Sequence, residues 1–538
     1  MQPEKPIQLG EIEPLSVSLE YQTDPLCVLN TLQYAKGEHI LFESAEVDSK
    51  ANLKSLLMID AALRLTCMGQ RVEAQALSPN GEVLLPYLAA QLPAGFAVQS
   101  LSSTLYIIDC PTPDCELTED ERLRAPSNLT PLRILQQLEA TNEHPFAVFI
   151  GGIFGYDLIA SFESLPEVPT GANSCPDYVF YLSQTLIVMD HQARKTELIG
   201  QLPGGAHLAA RAEALYQRMG ELSARLQRPR PVVLNDTSQP VHVTARPDQA
   251  TFKQHVQQLK QAIVAGDIFQ VVPSRQFSLP CTNALAAYQQ LKRANPSPYM
   301  FYMRSQNFEL FGASPESALK YASHTNQVEL YPIAGTRVRG TDGQGQLHAD
   351  LDSRIELELR RDSKELAEHM MLVDLARNDL ARIAVPGTRQ VAELLKVDRY
   401  SHVMHLVSRV VAQLRPELDA LDAYRACMNM GTLTGAPKLS ASQLIRQIEQ
   451  QRRGSYGGAV GYLTGQGDMD TCIVIRSALV QNGKAVVQAG AGVVYDSDPQ
   501  AEVEETENKA RAVIQAIRAS QQPSRSQTSQ SLAIGAHP

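Results

Sequence analysis

Two helical stretches each carry a pair of carboxylates that could do chemistry together. In "SKELAEHMMLVDLARNDLARI" (residues 363–383), Glu365 and Glu368 stand three apart on one helical face. In "QAEVEETENKARAVIQAIRA" (residues 500–519), Glu502 and Glu505 do the same, with Lys509 four residues beyond Glu505. Either pair alone reads as a solvated helix face. Brought to one point, four like charges need a cation, and an all-oxygen set without clustered His or Cys suits Mg²⁺. Such a metal needs an anion to hold. The basic groups Lys438, Arg476 and Lys509 fit a small molecule with more than one carboxylate.

A second candidate is "GTLTGAPK" (residues 431–438), with two glycines four apart and a nearby lysine. A phosphate-binding P-loop needs G-x-x-x-x-G-K-[ST] entered from a strand. Here Gly435 is followed by Ala436 and Pro437, and the preceding "LDALDAYRACMNM" has helical periodicity. The nucleotide reading therefore fails.

The elements that must position these groups are partly legible. "TFKQHVQQLKQAIVAG" places Phe252, Val256, Leu259 and Ile263 on one helical face, stops at Gly266 and leads into a strand, "IFQVVPSRQFSL". "CIVIRSALV" and "AVVQAGAGVV" flank Asn482-Gly483, a strong hairpin signal, and "YGGAVGYLT" is expected as a third strand of that meander. Arg476 would share its strand face with Val474 and Ala478. It is then either an exposed edge residue or the partner of a buried anion, since an unpaired buried charge is costly. "LKSLLMIDAALRLTCMG" (residues 53–69) and "HLAARAEALYQRMGELSARLQ" (residues 207–227) both read as amphipathic helices, the first with Ser49 as a possible N-cap.

At 538 residues the chain exceeds one ordinary core. The Pro-rich, aperiodic run "RPRPVVLNDTSQPVHVTARPDQ" marks a linker. It divides an N-terminal region (1–224) from a region at 251–519, with the linker at 225–250 and a low-complexity tail, 520–538, expected to be disordered. A net charge of −10 argues against a general nucleic-acid or anionic-membrane binder. No stretch approaches the roughly 18 apolar residues of a membrane span. The eight cysteines contain no C-x-x-C pair, so neither a disulfide framework nor a zinc knuckle is indicated. A cytoplasmic enzyme is expected.

"PIAGTRVRG", "EHMMLVDLARNDLARI", "YSHVMHLVSRV", "GTLTGAPK", "YGGAVGY", "CIVIRSA", "AGAGVV" and "EETENKA" follow one another here in an order that resembles the chorismate-utilising enzymes. Within them the likeness is to anthranilate synthase component I of the enteric bacterial type, over nearly the whole chain except the tail. The resemblance implies an α+β fold of stacked antiparallel β-sheets flanked by helices. It implies Mg²⁺ ligation by Glu368 and Glu505, with Glu365 and Glu502 assisting through water. It places Gly335, Thr336, Tyr456, Arg476, Gly490, Ala491, Gly492 and Lys509 around chorismate, and Thr432 and Lys438 in the loop that shapes the pocket. Glu316, in "GASPES", matches the general acid, and His405 is the candidate for assisting loss of pyruvate.

Two further positions bear on which chemistry is run. Relatives that make aminodeoxychorismate carry a lysine where this chain has Ala334. Relatives that activate water carry one where the likeness places Gln270, and an amide cannot serve as that base. Both favour ammonia as the nucleophile, in a lyase reaction giving anthranilate and pyruvate through 2-amino-2-deoxyisochorismate. No cysteine sits in the G-x-C-x-G elbow of a class I glutamine amidotransferase. A separate amidotransferase subunit is therefore expected, in a heterotetramer of two large and two small subunits. The resemblance also implies feedback by tryptophan, with Glu43, Ser44 and Lys50 in "LFESAEVDSK" facing Pro298, Tyr299 and Met300 in "NPSPYMF". A non-catalytic metabolite sensor is the rival reading. It predicts a broken carboxylate set, whereas Glu316, Glu365, Glu368, Glu502 and Glu505 are all present.

Overall fold

The computed structural model describes residues 7–33, 37–44, 53–112, 116–232, 241–342, 346–400 and 403–521. Lys50, Ser49, the middle of the expected linker and nearly all of the tail lie outside that set.

Two antiparallel sheets form the centre, and they share two long strands. Strand Lys54–Met68 pairs along its length with strand Tyr178–Asp190, and the register shifts between Met58 and Leu63. N-terminal to that shift, Lys54–Met68 also pairs with His39–Glu43, and C-terminal to it with Arg71–Ala76. The irregular stretch thus carries both strands from one sheet into the other, as bulges do where strands bend. It is pinned by Asp60, whose carboxylate accepts from Thr185 Oγ1 at 2.8 Å and from Arg218 Nε and Nη2 at 3.0 Å each.

The first sheet continues from His39–Glu43 through Tyr299–Arg304, Glu309–Ser314, Ser477–Gln481 and Lys484–Gly490 to Ser274–Pro280. The second continues from Tyr178–Asp190 through Phe149–Phe154, Ala459–Thr464, Met469–Ile473 and Ser317–Ala322 to Gln327–Leu330 and Val403–Gln413. Strands from both sides of the expected linker therefore interlace within each sheet.

The inner faces meet in a core that includes Met58, Leu186, Phe301 and Leu479 from one sheet and Phe149, Ile153, Val179 and Val460 from the other. Helices cover the outer faces. Leu208–Leu226, Ala284–Ala294 and Pro499–Ala519 close the first sheet. Pro79–Gln91, Ser363–Ala381 and Ala420–Cys427 close the second. This is the stacked-sheet α+β fold expected from the resemblance.

Three local expectations are corrected. Residues 53–69 form a strand, not a helix, and residues 55–65 are buried without interruption. A strand covered on both faces shows a continuous apolar run instead of alternation, and periodicity alone cannot separate that from a buried helix. Residues 472–480 are not one strand. Met469–Ile473 pairs with Ser317–Ala322, whereas Ser477–Gln481 pairs with Glu309–Ser314, so the Asn482-Gly483 hairpin belongs to the other sheet. Residues 268–279 likewise break into Gln270–Val271 and Ser274–Pro280. The helix Gln249–Ala265 does end at Gly266, whose φ of +85° is the left-handed C-cap geometry.

Candidate active site

The two carboxylate-bearing helices start from strong caps. Asp362 accepts from the Lys364 and Glu365 amides, and Asp498 accepts from Gln500 and Ala501 ahead of a first-turn Pro499. Burial, and then the Glu365 and Glu505 carboxylates, push the Glu368 carboxyl above its ordinary value, so carboxylates from both helices act on one another. Glu502 is also raised, by burial first, with the Ser497 hydroxyl opposing and Glu505 adding. Its Oε2 is buried without a hydrogen-bond partner. Mutual repulsion together with an orphaned carboxylate oxygen suits a hard, oxygen-seeking cation. Among the described residues no three His, Cys, Asp or Glu side chains stand close enough to form a finished cage. Glu368 feels both Glu365 and Glu505, Glu502 feels Glu505, and Glu365 is also engaged by Arg337 Nη1 at 2.7 Å.

Around them the glycine-rich segment 490–492 comes close to other backbone and side chains. A Cβ on Gly490 would stand 2.9 Å from the Tyr456 hydroxyl, and one on Gly492 would stand 2.7 Å from Gln270 Nε2. Lys509 Nζ donates to the Gly490 carbonyl at 3.1 Å and pairs with Glu505 at 2.6 Å. Gln270 Nε2 donates to Glu368 Oε1 at 3.3 Å, and its own Oε1 is buried without a partner. Gln270 thus lies against the metal-type carboxylates. Ala491 is fully buried behind them.

Arg476 does not lie on a strand face. It occupies the break between Met469–Ile473 and Ser477–Gln481, with φ at +49°. Left-handed backbone at a residue other than glycine is uncommon and costs of order 1 kcal/mol or more, and such residues cluster at functional sites. Among the described residues its guanidinium has no carboxylate within 4.0 Å, and burial lowers its pKa. Of the two readings open in the sequence, the half-buried position favours an anion partner over an exposed edge. Arg476 acts on His405, whose imidazole is lowered to about 3 by burial and then by that cation. His405 Nδ1 meets the Thr336 hydroxyl at 2.8 Å. Thr336 follows Gly335, whose φ of +91° brings the backbone near Glu365.

Glu316 is 6% exposed. Burial raises its carboxyl to about 8, against the Thr432 hydroxyl, Lys509 and the Ile333 amide. Thr432 Oγ1 lies beside this carboxyl without closing a full hydrogen bond. At neutral pH Glu316 therefore carries its proton, as a general acid must. A small cavity of about 30 Å³ opens beneath Glu316 and Thr432.

The sequence profile of the chorismate binding enzymes matches residues 98–515. The chain belongs to the chorismate-binding enzymes. It is 57% identical over 518 residues to anthranilate synthase component 1 of Vibrio cholerae, covering 95% of this chain and 98% of that one. It is 54% identical over 525 residues to the Escherichia coli protein of the same name, covering 96% and 98%. Among solved structures it resembles anthranilate synthase component I from Streptococcus pneumoniae, with a TM-score of 0.65 at 29% identity over 87% of this chain and 93% of that one. The menaquinone-specific isochorismate synthase of Escherichia coli shares the fold, with a TM-score of 0.66 at 19% identity over 96% of both chains.

In this chorismate-binding enzyme Lys438 is not a free cation for substrate. Its ammonium donates to Asp379 Oδ2 and to the Cys427 carbonyl, both at 2.7 Å. A buried carboxylate 59 residues upstream consumes its charge, so Lys438 locks the 431–438 turn in place. The sequence carried no signal for that pairing. Arg337, in "PIAGTRVRG", was also passed over, although it holds Glu365 and Asp362 at 2.7 Å each.

The residues expected to face tryptophan, other than Lys50, do gather. Glu43, Ser44, Pro298, Tyr299 and Met300 line one cavity of about 710 Å³ between the N-terminal strand His39–Glu43 and the second sheet. Glu43 differs from expectation. Its oxygens already accept from the Tyr288 hydroxyl and the Lys292 ammonium, so its charge is compensated within the protein. Among the described residues Ser44 Oγ is buried without a partner. No helix among the described residues is long and apolar enough to cross a membrane.

Proposed function

We propose that this chain is the large, chorismate-converting subunit of an anthranilate synthase, acting at the first committed step of tryptophan biosynthesis. The observation that carries the reading is a buried Glu316 that keeps its proton to about pH 8, together with an Arg476 that has no acidic partner among the described residues. An enzyme expelling a ring hydroxyl from a dicarboxylate needs both a proton donor and an anion seat.

Arg476 receives one carboxylate, and Lys509 turns to the other once Glu505 is drawn to the metal. Glu316 delivers its proton to the C4 hydroxyl, which leaves as water while ammonia adds at C2 to give 2-amino-2-deoxyisochorismate. Neutral His405 then accepts the C2 proton as pyruvate departs. A substrate carboxylate on Arg476 screens that guanidinium and raises the proton affinity of His405 at the moment it is needed. The Thr336 hydroxyl fixes the ring. Mg²⁺ held by Glu368 and Glu505, with Glu365 and Glu502 reaching it through water, would polarise the ring carboxylate as a Lewis acid.

Ammonia comes from glutamine through a separate amidotransferase subunit, in an assembly of two large and two small chains located in the cytoplasm. Tryptophan occupies the 710 Å³ cavity. Because strands from both sequence regions wall that cavity, the ligand discriminates between arrangements of those regions, which is what feedback requires. The test is fluorescence: purified chain with chorismate, Mg²⁺ and an ammonium salt generates anthranilate emission. Consumption of chorismate without that emission refutes the assignment.

A further inference from the structure

Arg453 is 1% exposed and is among the largest fully buried side chains of the protein. In the sequence it is one of an Arg-Arg pair before Gly454, a pattern that reads as surface charge. Its guanidinium instead forms a closed hub. Nε and Nη2 donate to Glu449 Oε2 and Oε1 at 3.0 and 2.6 Å. Nη1 donates to the Leu433 carbonyl at 2.7 Å, and Nη2 to the Val272 carbonyl at 2.5 Å. The plane lies 4.7 Å from the Tyr156 ring centre and 5.6 Å from that of Tyr456. Glu449 in turn accepts from the Ser274 amide and hydroxyl at 2.9 and 2.7 Å.

Three of the segments held by the hub carry a residue of the candidate site. Leu433 follows Thr432, which sits beside Glu316. Val272 follows the short strand that bears Gln270 and lies next to the bridge from Val271 to Val493. Tyr456 presents its hydroxyl to Gly490. None of these segments is adjacent to another in the chain; the Leu433 carbonyl belongs to the one-turn helix Gly431–Thr434, and that of Val272 to the break between Gln270–Val271 and Ser274–Pro280. A buried ion pair is a poor way to add stability, because desolvation offsets its attraction. Arg453 does what an apolar residue could not: one rigid, planar group with five donors references three separate pieces of backbone and ring to one another.

We infer that Arg453, oriented by Glu449, is a positioning residue for the reaction, setting the 431–434 turn and Tyr456 relative to one another. The inference rests on the proposed anthranilate synthase activity, and its test separates the two. Three variants are compared: Arg453→Lys, Arg453→Met and the double variant Arg453→Met with Glu449→Gln. The double variant leaves no buried charge unpaired, so it loses less stability than Arg453→Met alone, and its near-ultraviolet circular dichroism should stay close to wild type.

In the folded double variant kcat/KM for chorismate and ammonia should fall by about 10²-fold, as for displacement of a site by about 1 Å. Most of the loss should be in kcat, because the held turn carries the partner of the proton donor. Arg453→Lys should recover part of it. Backbone amide exchange at residues 431–438 should quicken in the double variant without substrate, a readout that needs no turnover. A folded double variant with kcat/KM within about twofold of wild type and unchanged exchange overturns the inference. If wild type makes no anthranilate while exchange in the variant still quickens, the functional reading fails and the positional role of Arg453 stands.

Discussion

Replacing Glu316 with glutamine preserves the side chain's shape and removes its ionisation. In the native protein burial lifts this carboxyl from its ordinary 4.5 to about 8, with the Thr432 hydroxyl, Lys509 and the Ile333 amide pulling the other way. The folded state therefore holds the proton more tightly than the unfolded chain. Below about pH 4.5 both states are protonated and the stability tied to this group is fully present. Between about pH 4.5 and 8 the unfolded chain releases a proton that the folded protein keeps, so that stability is lost as pH rises, and the loss is complete above about 8. At about 1.4 kcal/mol per tenfold in proton affinity, the window spans about 5 kcal/mol.

Glu316→Gln has no such slope. Urea midpoints of the two proteins, converted through a common m-value, should diverge in the variant's favour by up to about 5 kcal/mol between pH 4.5 and 8.5. Glu368 and Glu502, also raised by burial, are present in both proteins and cancel in the difference. The same substitution should lower kcat by about 10²- to 10⁴-fold, while wild-type kcat/KM declines above about pH 8 as the acid ionises. Stability curves that run parallel across this range would refute the reasoning, since Glu316 would then ionise alike in both states.

Glu368→Gln or Glu505→Gln should abolish anthranilate formation at any Mg²⁺ concentration, Glu368→Gln without lowering the unfolding midpoint because a buried repelling charge is removed; near-wild-type turnover at limiting Mg²⁺ removes these residues from the metal's ligands. The purified chain should use ammonium and ignore glutamine, read by anthranilate emission with each nitrogen source, and glutamine-driven emission from this chain alone would contradict the proposed two-subunit supply. Ser44→Phe, which fills the cavity beside Pro298 and Met300, should keep catalysis and weaken tryptophan inhibition at least about tenfold, or about 1.4 kcal/mol. Equal titrations of the two proteins would place the regulatory ligand elsewhere.

What was legible in the sequence was whatever local rules enforce. The helices Ser363–Ala381 and Pro499–Ala519 carry their own caps and periodicity, and Asn482-Gly483 specifies its turn wherever the hairpin docks. The resemblance in motif order singled out Glu316 and Arg476, and helical spacing paired the four carboxylates. Long-range partners were not legible. Strand Lys54–Met68 looked helical because its burial on two faces comes from strands and helices distant in sequence.

The chemical states of the site residues depend on such partners too. Lys438 is a basic residue in a promising loop until Asp379 claims its charge, and Glu43 is an acidic one until Tyr288 and Lys292 do. The Arg452-Arg453 pair reads as surface charge until folding encloses Arg453 between Leu433, Val272 and Glu449. Glu316 is an ordinary carboxylate as a letter and holds its proton to about pH 8 only once burial excludes water around it. Residue type and local spacing determined which groups the site contains. Burial and partner choice, properties of the folded chain as a whole, decided which of them remain free, charged or protonated, because desolvation and pairing depend on neighbours that sequence proximity does not supply.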